Sequence, residues 1–212
     1  MSQKVLIVGA GLGLSASLAR QCHTAGMKVA LAARDGEKAI AVAQETGASL
    51  HSCDASSIED VAALFTALDD SIGTPDLVVY NPSARLRGPI TDLDPEAART
   101  AIEVTCFGAF LVAQQAARRM LARGSGSILF TGASAGVKGF ANSSVFAMGK
   151  FGLRGLAQAL ARELHPQNIH IGHFVIDGGI ALERQDRKDD GSDRMLDPDA
   201  IAEAYLQFHN QH

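Results

Sequence analysis

Residues 5–16 read Val5-Leu-Ile-Val-Gly-Ala-Gly-Leu-Gly-Leu-Ser-Ala16. An apolar run stops at three alternating glycines and passes at once into an amphipathic segment. The pattern predicts a buried parallel strand over residues 5–8 and a helix over residues 14–25. Gly9, Gly11 and Gly13 fall in the turn between them. Without a Cβ, glycine reaches positive φ and lets a phosphate come close to the backbone. The helix that opens there offers N–H groups without intrahelical partners and the positive end of its dipole, both suited to a pyrophosphate. Gly11-Leu12-Gly13-Leu14-Ser15-Ala16 fits the dinucleotide fingerprint GxGxxA. Its place after a strand and before a helix separates it from an ordinary tight turn.

The alternation continues to the far end of the chain. Further strands are predicted at residues 28–31, 48–52, 76–80, 127–131 and 169–176. Helices are predicted at about 35–45, 56–72, 94–122, 144–164 and 197–208. The third helix opens on a capping box, Ser56 to Glu59, and carries the stripe Ile58, Val61, Phe65, Leu68 and Ile72. Asp94 as N-cap with Pro95 behind it starts one long helix, and Pro166 stops the other. The charged stretch at 183–194 is expected as a loop or lid. Six strand–helix units without a linker predict an α/β fold of one domain over residues 1–212: a Rossmann-like, doubly wound parallel sheet with helices on both faces.

Composition narrows the function classes. A net charge of −4 with no dense basic cluster excludes an electrostatic nucleic-acid surface. No apolar run reaches the roughly 18 residues of a spanning helix, so no membrane partner is expected. Residues 5–8 run straight into the glycine turn, which leaves no room for a signal peptide. Cys22, Cys53 and Cys106 are odd in number and lack metal-ligand spacing. They read as reduced thiols of a cytoplasmic protein with no metal site.

The end of the second strand bears on the choice of dinucleotide. An acid there takes the adenosine ribose hydroxyls, whereas an arginine accommodates a 2′-phosphate. This chain reads Ala32-Ala33-Arg34, with Asp35 beyond it placed as the N-cap of the next helix. Guanidinium suits phosphate by charge and by fork geometry, so NADP(H) is favoured over NAD(H). The competing reading makes Arg34 a solvated strand-end charge.

At this point the chain resembles the short-chain dehydrogenase/reductase family over nearly its whole length. The family's TGxxxGxG turn stands here as Val8-Gly9-Ala-Gly11-Leu-Gly13-Leu-Ser15, with Val8 for the threonine and Ser15 for the last glycine. The resemblance implies an adenine contact from Asp54 and neighbouring Ala55. It also implies a cofactor-side turn at Tyr80-Asn81-Pro82-Ser83, where Asn81 alone matches NNAG. A further cofactor contact is implied at Asp177-Gly178, in place of a proline-glycine pair.

Catalysis in that family rests on a tyrosine in YxxxK, a serine before its helix and an asparagine in the preceding long helix. The tyrosine gives the proton that a developing alkoxide needs. Its lysine partner lowers the tyrosine pKa and holds the nicotinamide ribose. This sequence has Phe146-Ala-Met-Gly-Lys150, with Ala133 at the serine position and Thr105 at the asparagine position. Phe146 has no proton to give. Lys150 alone is retained, as a ribose-binding ammonium or a solvated helix lysine. Ser134, Ser143 and Ser144 are the nearby hydroxyls, and Ser134 is the candidate catalytic substitute. Their competing roles are the helix N-cap for Ser143 or Ser144 and a loop position for Ser134. Tyr80 either lines the site or packs in the sheet; Tyr205 is expected to pack. His173 either faces the pocket or is a hydrogen-bonded core histidine.

Two functional readings follow from these residues. One is an NADP(H)-dependent oxidoreductase of a small carbonyl or alcohol substrate, with an altered or weakened proton-donor site. The other is a catalytically inactive NADP(H)-binding protein, serving as a regulatory or interaction module. Arg85 and Arg87 face the substrate side, either to meet an anion or as solvated loop charges. The resemblance implies a homodimer or homotetramer through the two long helices, whose small residues (Gly108, Ala113, Ala116, Gly152, Gly155) would permit close packing there or against the sheet. Family members usually close the sheet with a seventh strand, which is not apparent here.

Overall fold

The computed structural model describes residues 2–182 and 195–211. The stretch 183–194, expected as a loop or lid, lies outside the described residues. Six parallel strands form one sheet in the order β3-β2-β1-β4-β5-β6. They are β1 (Lys4–Val8), β2 (Lys28–Ala33), β3 (Ser49–Ser52), β4 (Leu77–Tyr80), β5 (Gly126–Thr131) and β6 (Ile169–Phe174). The order reverses between β1 and β4, and their register sets Val8 beside Tyr80 at the carboxyl ends. A crevice opens at such a switch point because the connections leave toward opposite faces.

The four inner strands, β2, β1, β4 and β5, read as nearly continuous apolar runs because both sheet faces are covered there. On β1 and β4, Leu6, Val8, Val78 and Tyr80 turn to one face. There they meet α3 (Ile58–Asp70), α5 (Gly108–Arg123) and α6 (Ser144–Leu164). Val5, Ile7, Leu77 and Val79 turn to the other. That face is covered by α1 (Leu14–Thr24), α2 (Glu37–Thr46) and α7 (Pro198–His209). β6 is the outer strand of the sheet. α7 covers its face, with Phe208 stacked on His170 at 4.1 Å. The segments β7 (Gly179–Ile180) and β8 (Met195–Leu196) pair in parallel, apart from the main sheet.

Three local expectations are corrected. The N-cap of α3 is Ser57, whose hydroxyl accepts from the Asp60 N–H; Ser56 instead bonds the Asp54 carboxylate. Ile58 therefore leaves the apolar stripe and is exposed, while Val61, Phe65 and Leu68 are buried. The N-cap of α2 is Gly36, although Asp35 still accepts from the Glu37 N–H. The long helix from Asp94 is interrupted: α4 (Pro95–Ile102) passes through a π-helical segment, Glu103–Phe107, into α5.

The interruption has a tertiary cause. Tyr80 is fully buried, and its hydroxyl donates to the Val104 carbonyl at 2.6 Å. A π-turn frees a carbonyl from the helical ladder, and here a buried phenol takes it. A Cβ on Gly108 would stand 2.5 Å from both that hydroxyl and the Ala55 carbonyl oxygen, so the helix approaches the sheet only because residue 108 has none. Tyr80→Phe is expected to cost about 1–2 kcal/mol in denaturant unfolding, because the Val104 carbonyl is left buried and unpaired. An unchanged midpoint would disprove this role.

Candidate functional site

The glycine turn closes the carboxyl end of β1 against that of β4. Gly9 has φ +82°, and a Cβ there would lie 2.7 Å from the Pro82 nitrogen. Gly13 is the N-cap of α1 at φ +77°, with the Ala181 carbonyl 3.1 Å from its would-be Cβ. Nothing lies within 4 Å of the corresponding point on Gly11, so one side of the turn stays open. Leu12 stands half exposed at its tip, while Leu14 is buried beneath. Ser15 donates to the Gly9 carbonyl at 2.9 Å and accepts from the Asn81 amide at 2.8 Å. The side chain that replaces the family's last glycine thus ties the turn to the end of β4. An open turn at a helix N-terminus fits a pyrophosphate.

A cavity of about 640 Å³ runs from this turn across the ends of β2 and β3. Arg34, Asp35, Lys38, Asp54 and Ala55 line it, with Asn81 at its inner end. Both acids are engaged by their own chain. Asp35 accepts from Glu37, and Asp54 accepts from the Ser56 N–H at 2.9 Å and hydroxyl at 2.6 Å. The Ser56 hydroxyl chiefly holds the Asp54 carboxyl below its usual range against the effect of burial, and Arg34 adds to this. Arg34 and Lys38 form no hydrogen bond and no close ion pair among the described residues, the Arg34 charge reaching Asp54 only at longer range. Lys38 was not singled out by the sequence; it reaches the wall of this cavity from the first turn of α2.

The second cavity, of about 350 Å³, shares Asn81 and Ser83 with the first. Lys150 lines it and is only 2% exposed. Its Nζ donates to the Thr131 carbonyl at 2.7 Å. Burial, and then the nearby Arg85 charge, push the Lys150 ammonium down to about 8. On the far side of Thr131, the buried Tyr205 hydroxyl donates to Thr131 Oγ1 at 3.0 Å, so α7 braces the strand that holds Lys150. The Phe146 ring lies in the wall, its centroid 5.8 Å from Lys150 Nζ and 4.9 Å from Arg85 Cζ. Ala133 and Gly178 also line this cavity.

Several candidates fall outside both cavities. Ser134 sits in a 3₁₀ turn behind Ala133 and lines neither. Asp177 is exposed and lines neither. Thr105 is buried in the π segment, where its hydroxyl accepts from the Ala84 N–H. Ser143 is the N-cap of α6 without a side-chain bond, and the Ser144 hydroxyl is buried without a partner among the described residues, so neither caps the helix through its hydroxyl. Tyr80 lies beneath the sheet end rather than in the site. His173 packs on Gly132; its Nε2 is buried without a hydrogen bond, which corrects the expectation of a satisfied core histidine. Among the described residues no group of three or more metal-ligating side chains converges. No helix there is long and apolar enough to cross a membrane.

A doubly wound sheet with an open glycine turn at its switch point, followed by a cleft along the strand ends, defines a dinucleotide-type α/β fold. The family model for short chain dehydrogenase matches residues 3–187, and the chain belongs to that family of oxidoreductases, which bind NAD(P). It is 31% identical over 183 residues to trans-4-hydroxycyclohexanecarboxylate dehydrogenase of Sinomonas cyclohexanicum, covering 81% of this chain and 70% of that one. Among solved structures it is similar to a short-chain dehydrogenase from Rhodopseudomonas palustris, with 32% identity, TM-score 0.85 and coverage of 99% and 92% of the two chains. A metagenomic short-chain oxidoreductase in complex with NADP is 27% identical at TM-score 0.85, with coverage of 99% and 91%.

Proposed function

We propose that this chain is an NADP(H)-dependent oxidoreductase of a carbonyl or alcohol substrate, working with a weakened proton-donor site. The observation that carries the cofactor choice is the pairing of Arg34 and Lys38 over a cavity whose two acids are already engaged by their own backbone. A 2′-phosphate supplies both cations with a closely paired counter-charge. The glycine turn presents N–H groups to the pyrophosphate, and Asp54 and Ala55 flank the adenine. Asn81 holds the turn through Ser15, and Gly178 borders the nicotinamide end. Lys150 donates to Thr131 and keeps further N–H donors for ribose hydroxyls.

The bound nicotinamide supplies or accepts a hydride. Phe146 forms part of the wall but holds no proton to give, so the proton at the substrate oxygen comes from water entering past the exposed Ser83 and Arg85. Turnover is accordingly slow. The test is a panel of carbonyl compounds followed by loss of nicotinamide absorbance, with Arg34→Ala alongside. Slow NADPH-dependent reduction is expected, with NADPH binding weakened roughly 10–100-fold in the variant and NADH binding unmoved. Binding without turnover across the panel would replace this reading with the inactive binding module.

The protein is further proposed to be a homodimer or homotetramer through the α5 and α6 surfaces. Of the small residues, Gly108, Ala113 and Ala116 are buried in the fold, whereas Gly152, Gly155 and Ala159 are exposed on α6. Exposed as well are the large apolar side chains Phe107, Phe110, Met148 and Phe151. Such a patch marks an association surface. Phe151→Glu is expected to sediment as monomer where the parent does not; a monomeric parent would refute the proposal.

A further inference from the structure

The 350 Å³ cavity is cationic at its reacting end. Among the described residues its lining includes Arg85 and Lys150 and no aspartate or glutamate. Lys150 is a charge buried to within 2% with a carbonyl as its protein partner and no counter-ion among the described residues. Burying a charge is costly without compensation, and a site that leaves an ammonium so placed favours an anion beside it. Arg85 lies over the Phe146 ring, 4.9 Å from its centroid, with no hydrogen bond or ion pair among the described residues. By contrast Arg20, Arg99, Arg119 and Arg123 all hold carboxylates. Arg87, two residues on, lines neither cavity. The loop path, not the sequence, sets the two arginines apart.

We infer that the substrate of this site is a small carbonyl compound carrying a carboxylate, which Arg85 takes at the cavity mouth while the reacting carbonyl lies toward Lys150. The inference rests on the carbonyl-oxidoreductase reading for the identity of the reacting group. A guanidinium fork matches a carboxylate by two parallel N–H···O bonds, and the Lys150 charge adds to the field from within. Phe146 supports the arrangement, since its ring face carries the guanidinium of Arg85.

Calorimetric titration with 4-oxopentanoate and with its neutral methyl ester tests this on the cofactor-free protein and on protein saturated with NADPH. The acid is expected to bind at least about tenfold tighter than the ester, the value of a charge-assisted pair. Arg85→Gln is expected to bring the acid down to the ester while leaving the ester unmoved, and Arg87→Gln to change neither. Equal binding of acid and ester, no binding of the acid, or an equal loss with Arg87→Gln would each overturn the inference. Dihydroxyacetone phosphate outcompeting the acid would overturn the carboxylate assignment. Failure of NADPH to bind would overturn the proposed function instead, and the acid–ester comparison would still be read on the cofactor-free protein.

Discussion

Phe146→Tyr is expected to raise kcat/KM for carbonyl reduction by about 10²–10⁴, the ordinary value of a positioned general acid. The ring already lines the cavity, and the new hydroxyl would enter a space bounded by two cations, Lys150 and Arg85. Positive charges nearby favour the phenolate and so lower the phenol's pKa toward the working range. The gain should appear in kcat with little change in KM, because the added group acts on charge that develops in the transition state. It should vanish when Lys150→Met is combined with the new tyrosine. A variant that binds NADPH like its parent and gains nothing would contradict the assignment of residue 146 to the donor position. The missing serine hydroxyl at Ala133 and the missing asparagine amide at Thr105 would then dominate.

Gly9→Ala is expected to be the most destabilising of the single-methyl changes in the cofactor turn. Two costs act together at this position. The backbone is left-handed at φ +82°, which costs a side chain about 1–2 kcal/mol. The added methyl also meets Pro82, with the backbone nitrogen at 2.7 Å and two ring carbons at 2.9 Å. A proline ring cannot swing aside as a flexible side chain would, and such overpacking costs about 1–3 kcal/mol. A loss of about 3 kcal/mol lowers Tm by about 10 °C in a chain of this size. Gly26 is the control, with φ +77° and nothing within 4 Å of the added methyl. Gly26→Ala should show only the backbone part. Equal shifts in the two variants would mean that Pro82 yields, and that the contact between β1 and β4 does not constrain the turn.

The alternation of strands and helices was legible because the four inner strands, β2, β1, β4 and β5, are buried on both faces and so read as nearly unbroken apolar runs. The glycine turn was legible because local geometry alone demands its residues. What escaped the sequence depends on contacts between distant segments. The π segment exists because Tyr80 reaches the Val104 carbonyl across 24 residues. The α3 cap moved by one residue because Ser56 is drawn to Asp54. Ser15 looked like a mere departure from the glycine pattern, yet it joins Gly9 to Asn81. Lys38 and Arg85 are ordinary cations in a linear reading, and only the path of the chain brings each to a cavity wall. The distinction between Ser134 and Ala133 is of the same kind: adjacent residues, of which only Ala133 lines the cavity.

The central claim concerns Arg34, Lys38 and the cavity they border. Fluorescence titration of the purified protein with NADPH and with NADH, at equal ionic strength, tests it most directly. NADPH should bind roughly 10–100-fold tighter, as expected for charge-assisted contacts to a 2′-phosphate. Equal binding of the two, or preference for NADH, would contradict the account.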